Sequence, residues 1–588
     1  MRPLAVPALL LAAALGTSSE RAEACGGFFC SVAQPVNQAA ERIIFADNGD
    51  GTITAVIQIM YDGPSENFSW LLPISTVPQS SDLAVASDVA FARLQAATNP
   101  QYQLNTVIEG SCAPQNFASA GGVLDIAPAE ESCDQNPLLA NCQSPVTLEA
   151  SGVVGQFAWS AISVDPSAED PAAPALTWLE QNGYDVTPEA AGLIGPYLAD
   201  GMYLLALRLT KGSDIGSIRP LMLTYAASAP MIPIKLTAVA ANQDMGVMTW
   251  ALGSARAVPF NYNALELNEA RINWFNAASN YDQVVTQAAD QAGGQGFVTE
   301  FAGRASQLAN TVWTDFDESD WQRIKGATYF GFNEMFEAVY SPYQGWSGFW
   351  DAVRRVVVLP ETVNFEDFKR CPGCYSQGLS FSPTEFFAAI EADVIAPVRS
   401  VQALIDRNAY ATRLYSTLSA DDMTADPVFV FNPDLPDVSN LHRADRVIEC
   451  SRGVSQFEAP WRIEFPQGSV IRGTAQTLGL WPVGVVDQPA NFRVLSLSTS
   501  GEGRVVEDNA PEIDLGLSRY NATLAGSGSD TDSTASDGSG RVKSRRSGFC
   551  ALSAGPQPSG SALPLGIGLA ALLGAGRLRR RSAGPTRR

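Results

Sequence analysis

Residues 41–61 read ERIIFADNGDGTITAVIQIMY, and this stretch predicts a β-hairpin. Segments 42–45 and 52–61 have the composition of strands, and the second partly alternates apolar and polar residues. Between them, segment 47–51 contains Asn-Gly and Asp-Gly, the strongest short-range signals for a hairpin turn. A calcium loop is the alternative for this acidic turn, but Gly49 stands where an EF-hand needs an oxygen ligand. We therefore expect the body of the protein to begin with paired strands.

Further strands and helices are predicted outward from this hairpin. A strand closed by a proline follows at 68–74, and a short amphipathic helix is expected at 80–98. Other predicted strands are 150–165, 201–211, 219–225, 231–240, 245–252, 428–431, 462–465 and segments within 470–497. Helices are predicted at 176–181 and 188–199, helical patterns run through 264–312, and a helix pair is expected from 383 to about 418.

These elements predict an α+β fold. We expect a largely antiparallel sheet in the N-terminal region, a helical middle block and a smaller β-rich C-terminal region, followed by a disordered linker and one short transmembrane segment. The expected boundaries are 1–24 for a signal peptide, 25–260 for a mixed β-rich domain, 261–425 for a helix-rich region with an aromatic cluster, 426–525 for a small β-rich region, 526–547 for the linker and 548–588 for a C-terminal sorting tag.

The N-terminus is typical of an exported protein. Arg2 is followed by an apolar run at 4–15, and small residues then precede a cleavage site between Ala24 and Cys25. A buried N-terminal helix is one alternative. A lipidated Cys25 is another, although the chain lacks the leucine and small residue that a lipoprotein signal places before its cysteine. We expect signal peptidase to act here.

The C-terminus carries a second targeting signal. Segment 526–541, GSGSDTDSTASDGSGR, cannot form a core and predicts a flexible linker. Cys550 then precedes an apolar run at 562–576, which is short for a stable membrane span of roughly 20 residues. Four arginines follow at once and would keep the C-terminus in the cytoplasm. They are Arg577, Arg579, Arg580 and Arg581. The pattern favours a temporary anchor or sorting tag, with Cys550 for sorting or lipid attachment, over a permanent anchor.

The nine cysteines divide between the body and the tail. Eight lie in the body, an even number that suits a disulfide-stapled exported domain, and Cys550 is left over. The eight disulfide candidates are Cys25, Cys30, Cys112, Cys133, Cys142, Cys371, Cys374 and Cys450. Spacing does not determine their connectivity. From proximity alone we expect the pairs Cys25–Cys30 and Cys371–Cys374.

The Cys-Pro-Gly-Cys motif at 371–374 permits two kinds of chemistry. Such a pair can be a redox dithiol or half of a zinc site, but the sequence has no second C-x-x-C to complete a zinc site. Lys369 and Arg370 would lower a thiol pKa and so favour reactivity. A local structural disulfide, or two cross-links from these cysteines to other loops, is the simpler alternative, because the motif lacks the strand-to-helix context of a redox fold.

Charge argues against a nucleic-acid partner. Residues 25–540 hold 26 of the 38 Lys and Arg but 59 of the 61 Asp and Glu. Such an acidic surface repels nucleic acid and anionic lipid. The composition, 46% hydrophobic and 17% charged, still allows a large core.

No motif identifies a catalytic, metal or cofactor site. The single histidine, His442, excludes paired-histidine zinc sites, and it could pair with Asp437 or Asp445. Lone histidines are more often surface or capping residues than general bases. The aromatic residues between Trp313 and Trp350 could line a carbohydrate or peptide groove, although such clusters more often form core. We therefore predict no catalytic residue, no metal and no cofactor.

Several phrases of the body resemble the uncharacterised bacterial family called domain of unknown function 2330 (DUF2330), over roughly residues 25–450. They are CGGFFC at 25–30, AERI at 40–43, WLLP at 70–73, WL at 178–179, NGY at 182–184, YSTL at 415–418, Met423, DP at 426–427 and NPDLPDVSN at 432–440. The resemblance implies an exported bacterial protein and no assigned activity.

The last 40 or so residues, from Gly548 on, resemble the myxobacterial carboxy-terminal sorting tag, MYXO-CTERM, which joins a cysteine, a short apolar span and an arginine cluster. The resemblance implies cleavage by a dedicated intramembrane protease and retention at the cell surface through Cys550. One departure is Phe549, which stands between Gly548 and Cys550 where such tags carry glycine directly before the cysteine.

The sequence thus predicts an exported cell-envelope protein, more a binding or structural ectodomain than an enzyme, and its ligand stays unknown. We expect it at the cell surface or outer membrane after tag processing, and otherwise in the inner membrane. Its expected partners are signal peptidase, a tag-processing intramembrane protease and the membrane that holds its tail. The alternative is an envelope thiol-disulfide oxidoreductase that uses Cys371 and Cys374.

Overall fold

The predicted hairpin is confirmed. In the computed structural model, β1 (Asn37–Asp47) pairs antiparallel with β2 (Thr52–Asp62). The turn uses its own carboxylates: Asp47 Oδ1 accepts the Gly49 amide at 2.9 Å, and Asp50 Oδ1 accepts the Thr52 amide at 3.0 Å. Positive φ at Gly49 (73°) and Gly51 (86°) suits glycine, which has no Cβ to clash. These carboxylates therefore cap the turn.

The structure describes residues 37–62, 69–112, 146–184, 190–209, 218–239, 241–377, 379–474, 481–482 and 487–526. All of them lie in one compact unit that ends at Asp530. The predicted signal peptide, the linker after Gly526, the sorting tag with Cys550 and its four arginines, and Cys25, Cys30, Cys133 and Cys142 lie outside the described residues.

A ten-stranded mixed sheet, the large sheet, organises this unit. Besides β1 and β2, it contains β4 (Leu83–Val85), β9 (Leu221–Ala226), β10 (Ala241–Gly253), β12 (Asn263–Leu267), β13 (Gly296–Arg304), β14 (Tyr410–Leu418), β19 (Asn491–Ser496) and β20 (Arg504–Asp508). Its strand order is β20-β19-β12-β13-β14-β10-β1-β2-β9-β4. Most neighbours are antiparallel, but β1–β10 and β12–β13 run parallel. Strands from all three predicted regions of the body meet in this sheet.

Smaller sheets flank the large one. Their strands are β3 (Ser69–Ile74), β5 (Gln101–Gly110), β6 (Thr147–Val154), β7 (Phe157–Ser163), β8 (Tyr203–Leu209), β11 (Arg256–Pro259), β15 (Phe429–Asn432), β16 (Leu441–Cys450), β17 (Trp461–Glu464) and β18 (Val470–Gly473). One four-stranded sheet has the order β3-β8-β7-β6, a second has the order β18-β17-β16-β5, and β11 pairs with β15.

Helices cover the outer faces. They are α1 (Asp88–Thr98), α2 (Ala172–Gln181), α3 (Ala190–Ala199), α4 (Ile234–Thr237), α5 (Tyr281–Gln291), α6 (Asp315–Gly326), α7 (Phe332–Tyr343), α8 (Phe349–Val356), α9 (Phe365–Arg370), α10 (Pro383–Ile390), α11 (Ala396–Arg407) and α12 (Ala510–Gly526). A π-helical turn, Glu391–Ile395, joins α10 to α11. No helix among the described residues is both long and apolar enough to cross a membrane.

Alternating side chains of β1 show how the layers stack. Ile43 and Phe45 point into a core shared with β3, β7 and β8, whereas Ile44 and Ala46 point into a core shared with α1 and helices α6–α11. Helices α2 and α3 pack on the far side of the β3-β8-β7-β6 sheet. The order of layers is therefore helix, sheet, sheet, helix, and the α+β prediction is confirmed.

Several element predictions are wrong in instructive ways. Segment 231–240, predicted as a strand, contains the short helix Ile234–Thr237, which begins after Pro233. The helical pattern at 264–312 contains α5, but also strands β12 and β13. The helix pair ends at Arg407, and Tyr410–Leu418 is a strand. Only Asp88–Thr98 of the expected helix 80–98 is α-helical, because Leu83–Val85 pairs with β9. Strands β13 and β14 are buried on both faces, so they lack the alternation that identifies a half-exposed strand.

Candidate functional site

Cys112 and Cys450 lie at disulfide distance, with Cα atoms 5.1 Å apart. They follow directly from the parallel pairing of β5 with β16, whose last paired residues are Gly110 and Cys450. The two cysteines are 338 residues apart in sequence. Nothing in the spacing of the cysteines indicates this pair, since only the tertiary pairing of the strands brings them together.

Cys371 and Cys374 also lie at disulfide distance, with a Cα separation of 5.3 Å. This geometry is compatible with the local disulfide expected from proximity. The motif forms the 3-10 turn Pro372–Tyr375 directly after α9, and a loop follows it. No strand-to-helix turn is present at this point. Cys371 is half-buried and Cys374 is exposed.

The two cations before this motif each have a carboxylate neighbour. Lys369 Nζ lies 3.0 Å from Glu366 Oε2, and Arg370 Nη1 lies 3.5 Å from Asp367 Oδ1. A paired cation exerts a weaker field on a nearby sulfur than an unpaired one. Lys369 and Arg370 therefore stabilise a nearby thiolate less than two unpaired cations would.

His442 pairs with Glu269, and not with either of the aspartates expected from sequence. Its Nδ1 lies 2.7 Å from Glu269 Oε1, and its ring stacks on Tyr102 with centroids 4.5 Å apart and planes 9° apart. Asp437 instead accepts the Tyr410 hydroxyl at 2.6 Å, and Asp445 accepts the Asn105 amide at 3.2 Å. The histidine thus joins β16, β5 and the 3-10 turn Glu269–Arg271.

A polar cluster inside the large sheet was not recognised from the sequence. Arg413 on β14 contacts Glu300 on β13, and Arg413 Nη1 donates to Asn99 Oδ1 at 2.7 Å. Burial raises the pKa of Glu300, against the opposing effect of the Arg413 charge and of a hydrogen bond from Tyr281. The pKa of the Tyr281 hydroxyl is raised well above 10, first by burial and then by the charge of Glu300. The one sequence signal is a glutamate within the apolar strand GFVTEFAGR.

The tryptophans between Trp313 and Trp350 belong to the core. Trp321 is fully buried and Trp313 nearly so, while Trp346 and Trp350 are partly buried against the same cluster. Trp313 meets Trp346 edge-on at 6.2 Å, and Trp321 meets Tyr343 edge-on at 5.7 Å. Rings packed edge to face in this way are stabilising core contacts. They do not form an open groove.

A cavity of about 280 Å³ lies between the large sheet and β3. Its walls are largely apolar and include Ile43, Phe45, Leu72 and Ile74. Glu41 also lines it, and this residue is only 5% exposed. Largely apolar cavities with a few polar groups are the usual form of small-molecule sites in proteins. Among the described residues, this cavity is the candidate binding site.

Comparison with models of known protein families gives a match. Residues 19–318 match the family model described as "Uncharacterized protein conserved in bacteria (DUF2330)". The match begins near the expected start of the body and ends before the C-terminal part of the predicted resemblance. No curated protein and no solved structure matches the chain.

Proposed function

The chain belongs to the DUF2330 family of uncharacterised bacterial proteins, and from this premise we propose that it is an exported, disulfide-stapled protein of the cell envelope. In this proposal the body is a non-catalytic ectodomain that binds a ligand or has a structural role. It is held at the membrane by the C-terminal tail.

The observation that carries the proposal is the Cys112–Cys450 pair. A disulfide here would tie β5 to β16 across 338 residues of chain. Disulfides form and persist in oxidising compartments and are rare in the cytosol. A fold that places two cysteines of distant sequence at bonding distance is therefore consistent with export.

The targeting signals supply the remaining support. Cleavage between Ala24 and Cys25 by signal peptidase would release the body from residues 1–24. The tail, with Cys550 and the arginines after the apolar run, would bring it to a tag-processing intramembrane protease. Retention at the cell surface or outer membrane would follow, or anchoring in the inner membrane if the tail is kept.

The contacts of the candidate catalytic groups favour a binding or structural role. His442 is engaged by Glu269 and stacked on Tyr102. Arg413 and Glu300 are buried in the sheet, where each neutralises the other's charge. These groups hold elements of the fold together, whereas the cavity beside Ile43 offers space for a ligand.

The test is the intact mass of the mature protein from a membrane fraction, with thiols alkylated before or after reduction. We expect a chain that starts at Cys25, ends near Cys550 with added lipid mass, and gains eight alkyl groups only after reduction. A non-reduced digest should also yield a linked peptide containing Cys112 and Cys450. A chain that keeps residues 1–24, or body cysteines that are all alkylated without reduction, would overturn the proposal.

The proximity of Cys371 and Cys374, neither of which is fully buried, favours one second candidate, an envelope thiol-disulfide oxidoreductase. In that reaction the Cys371 thiolate attacks a partner's disulfide, and Cys374 then resolves the mixed disulfide, so the partner is reduced as the motif is oxidised. Cys374→Ser would trap partner proteins in mixed disulfides. The double variant Cys371→Ser/Cys374→Ser is the matched control and should trap nothing. An empty trap from Cys374→Ser removes this candidate.

A further inference from the structure

The strand register shows which residues lie at each end of the cavity along β1. Glu41, Ile43 and Phe45 are alternate residues of β1 and line the same side of it. At about 3.4 Å per residue, Glu41 and Phe45 are roughly 14 Å apart along the strand. Tyr225 of β9 is paired with Ile53, which is paired in turn with Asp47. Tyr225 therefore lies beyond the Phe45 end of the row, and Glu41 lies at the other end.

The Phe45 end is the end with the more exposed lining residues. Ala226 and Ser228, which follow Tyr225 along the chain, are exposed and line the cavity. At the opposite end Glu41 is only 5% exposed. A ligand entering between Tyr225 and Ser228 would thus pass an apolar row before it reaches a carboxylate.

The volume sets the size of the ligand. An apolar cavity of about 150 Å³ accepts benzene, whereas sites for drug-sized molecules begin near 300 Å³. A cavity of about 280 Å³ therefore suits a molecule somewhat larger than one ring, such as a short alkyl chain. Apolar walls favour the chain because its transfer from water is stabilising in proportion to the area buried.

The charge of Glu41 and of the acidic body indicates which polar head group a ligand of this cavity would carry. Glu41 is the only residue with a charged side chain among the described residues that line the cavity. Glu41 also has an interaction within the protein, and an ionised carboxylate has about four acceptor sites to share. The acidic body, with 59 acidic against 26 basic residues in 25–540, attracts cations and repels anions at long range. Both effects favour an amine over a carboxylate.

We propose that this cavity binds a small apolar ligand that carries an amino group, with the chain along Ile43 and Phe45 and the amine directed to Glu41. The inference rests on the proposed role as a binding ectodomain and names the class of its ligand. Ser75 and Ser228 line the cavity as well and supply neutral hydroxyls. The charge of the ligand is therefore recognised by Glu41.

The test uses three ligands with the same chain and different heads, namely hexylamine, 1-hexanol and hexanoate, titrated calorimetrically into the full-length protein. Hexylamine should bind at least about ten-fold more tightly than 1-hexanol, because hydrogen bonds to charged groups contribute more than neutral ones. Hexanoate should bind most weakly. Equal affinities for all three, or no binding of any, would overturn the inference.

Two variants locate the site. Glu41→Gln should lower the affinity for hexylamine about ten-fold and leave the affinity for 1-hexanol unchanged. Glu337→Gln, on the exposed face of α7, is the charge-matched control and should change neither affinity. Ala55→Leu, which adds volume inside the cavity, should weaken hexylamine and 1-hexanol alike while the near-ultraviolet circular dichroism is kept. Unchanged binding by Ala55→Leu would place the ligand elsewhere and overturn the inference. If the intact-mass experiment succeeds and these titrations fail, only the ligand class is lost.

Discussion

Arg413 Nε lies 2.5 Å from Glu300 Oε2 in the interior of the large sheet, where the two side chains are 3% and 1% exposed. A β-bulge creates this contact. Thr299 is paired with Leu414 and Phe301 with Arg413, so Glu300 is the additional residue on its strand. The two opposite charges face each other, so their attraction offsets part of the cost of burying each of them.

Removing one member of this pair should strongly destabilise the protein. Glu300→Leu leaves the Arg413 charge buried without its counter-ion, and we expect the free energy of unfolding to fall by about 3–5 kcal/mol. The double variant Glu300→Leu/Arg413→Met should recover much of that loss, because two apolar residues need no charge compensation. Urea unfolding of the four proteins in a double-mutant cycle measures the coupling. Additive losses would contradict an energetic link between the two residues.

A surface ion pair provides the control for that cycle. Asp320 and Arg323 form an ion pair on α6, and the Arg323 side chain is 68% exposed while that of Asp320 is 16% exposed. Surface pairs that solvent screens contribute about 0–1 kcal/mol. Asp320→Asn should therefore change the free energy of unfolding by less than about 1 kcal/mol.

The two disulfide-distance pairs should differ in their effect on stability. Cys112→Ser/Cys450→Ser removes a link across 338 residues and should lower the free energy of unfolding by roughly 2–4 kcal/mol under oxidising conditions. Cys371→Ser/Cys374→Ser removes a link across three residues and should cost much less, because a short loop loses little entropy on closure. Denaturant titrations with and without reductant compare the variants. A larger loss for the second variant would reverse this ranking.

Asp317 should give the fold an acid-sensitive contact. Its carboxylate receives two hydrogen bonds from Arg93, at 2.6 and 3.1 Å, and joins α6 to α1. Burial acts to raise the pKa of Asp317, but the hydrogen bonds from Arg93 and Thr314 outweigh burial and hold this pKa below its ordinary value of 3.8. A lowered pKa means that the stabilisation is present above pH 3.8 and is lost as the pH falls through the folded-state pKa.

Asp317→Asn tests this pH dependence. We expect the variant to lose about 1.5–3 kcal/mol at neutral pH, because hydrogen bonds to a charged acceptor are lost. The difference from the natural protein should shrink as the pH falls below about 4. Unfolding curves from pH 3 to 7 measure it, with Asp320→Asn as the control on the same helix. A difference that stays constant down to pH 3 would mean that the charge of Asp317 does not stabilise the contact with Arg93.

Trp321 should behave as a core residue. It is fully buried, its Nε1 donates to Glu391, and its ring packs edge-on against Tyr343 and Phe387. Trp321→Ala should lower the free energy of unfolding by about 3–5 kcal/mol, since it leaves a large cavity. Differential scanning calorimetry measures the loss. A stable variant that instead lost binding to an envelope polysaccharide would restore the glycan-groove hypothesis for the aromatic cluster.

Local features of the fold were predictable from the sequence, and the β1–β2 hairpin is the clearest case. Its turn is specified by neighbouring residues, from Asp47 to Gly51, that satisfy one another's hydrogen bonds. Strand β14 was missed because its residues are buried on both faces, and the pattern that distinguishes a surface strand is then absent. The partner of His442 was missed because Glu269 lies 173 residues away and is brought close by packing.

The cavity, too, combines elements that the sequence predicts with a feature that only tertiary packing creates. The phrases around Glu41 and the strand at 68–74 were recognised from the sequence, but nothing in them indicates a space between two sheets. That space exists because β3 packs across β1 and β9 without filling the interval next to Glu41 and Tyr225. Packing defects of this kind depend on the shapes of side chains from distant segments, which no local pattern contains.

The sequence alone determined the acidic balance of the body, the family, the hairpin and the α+β class, because each depends on composition or on residues close together in the chain. Targeting signals of the same local kind remain predictions to be tested. Only the tertiary structure decided which cysteines meet, which acid pairs with His442, how Glu300 reaches Arg413 and where a ligand could enter. Those relationships join residues separated by a hundred positions or more, and the packing of strands and helices alone brings them within contact distance.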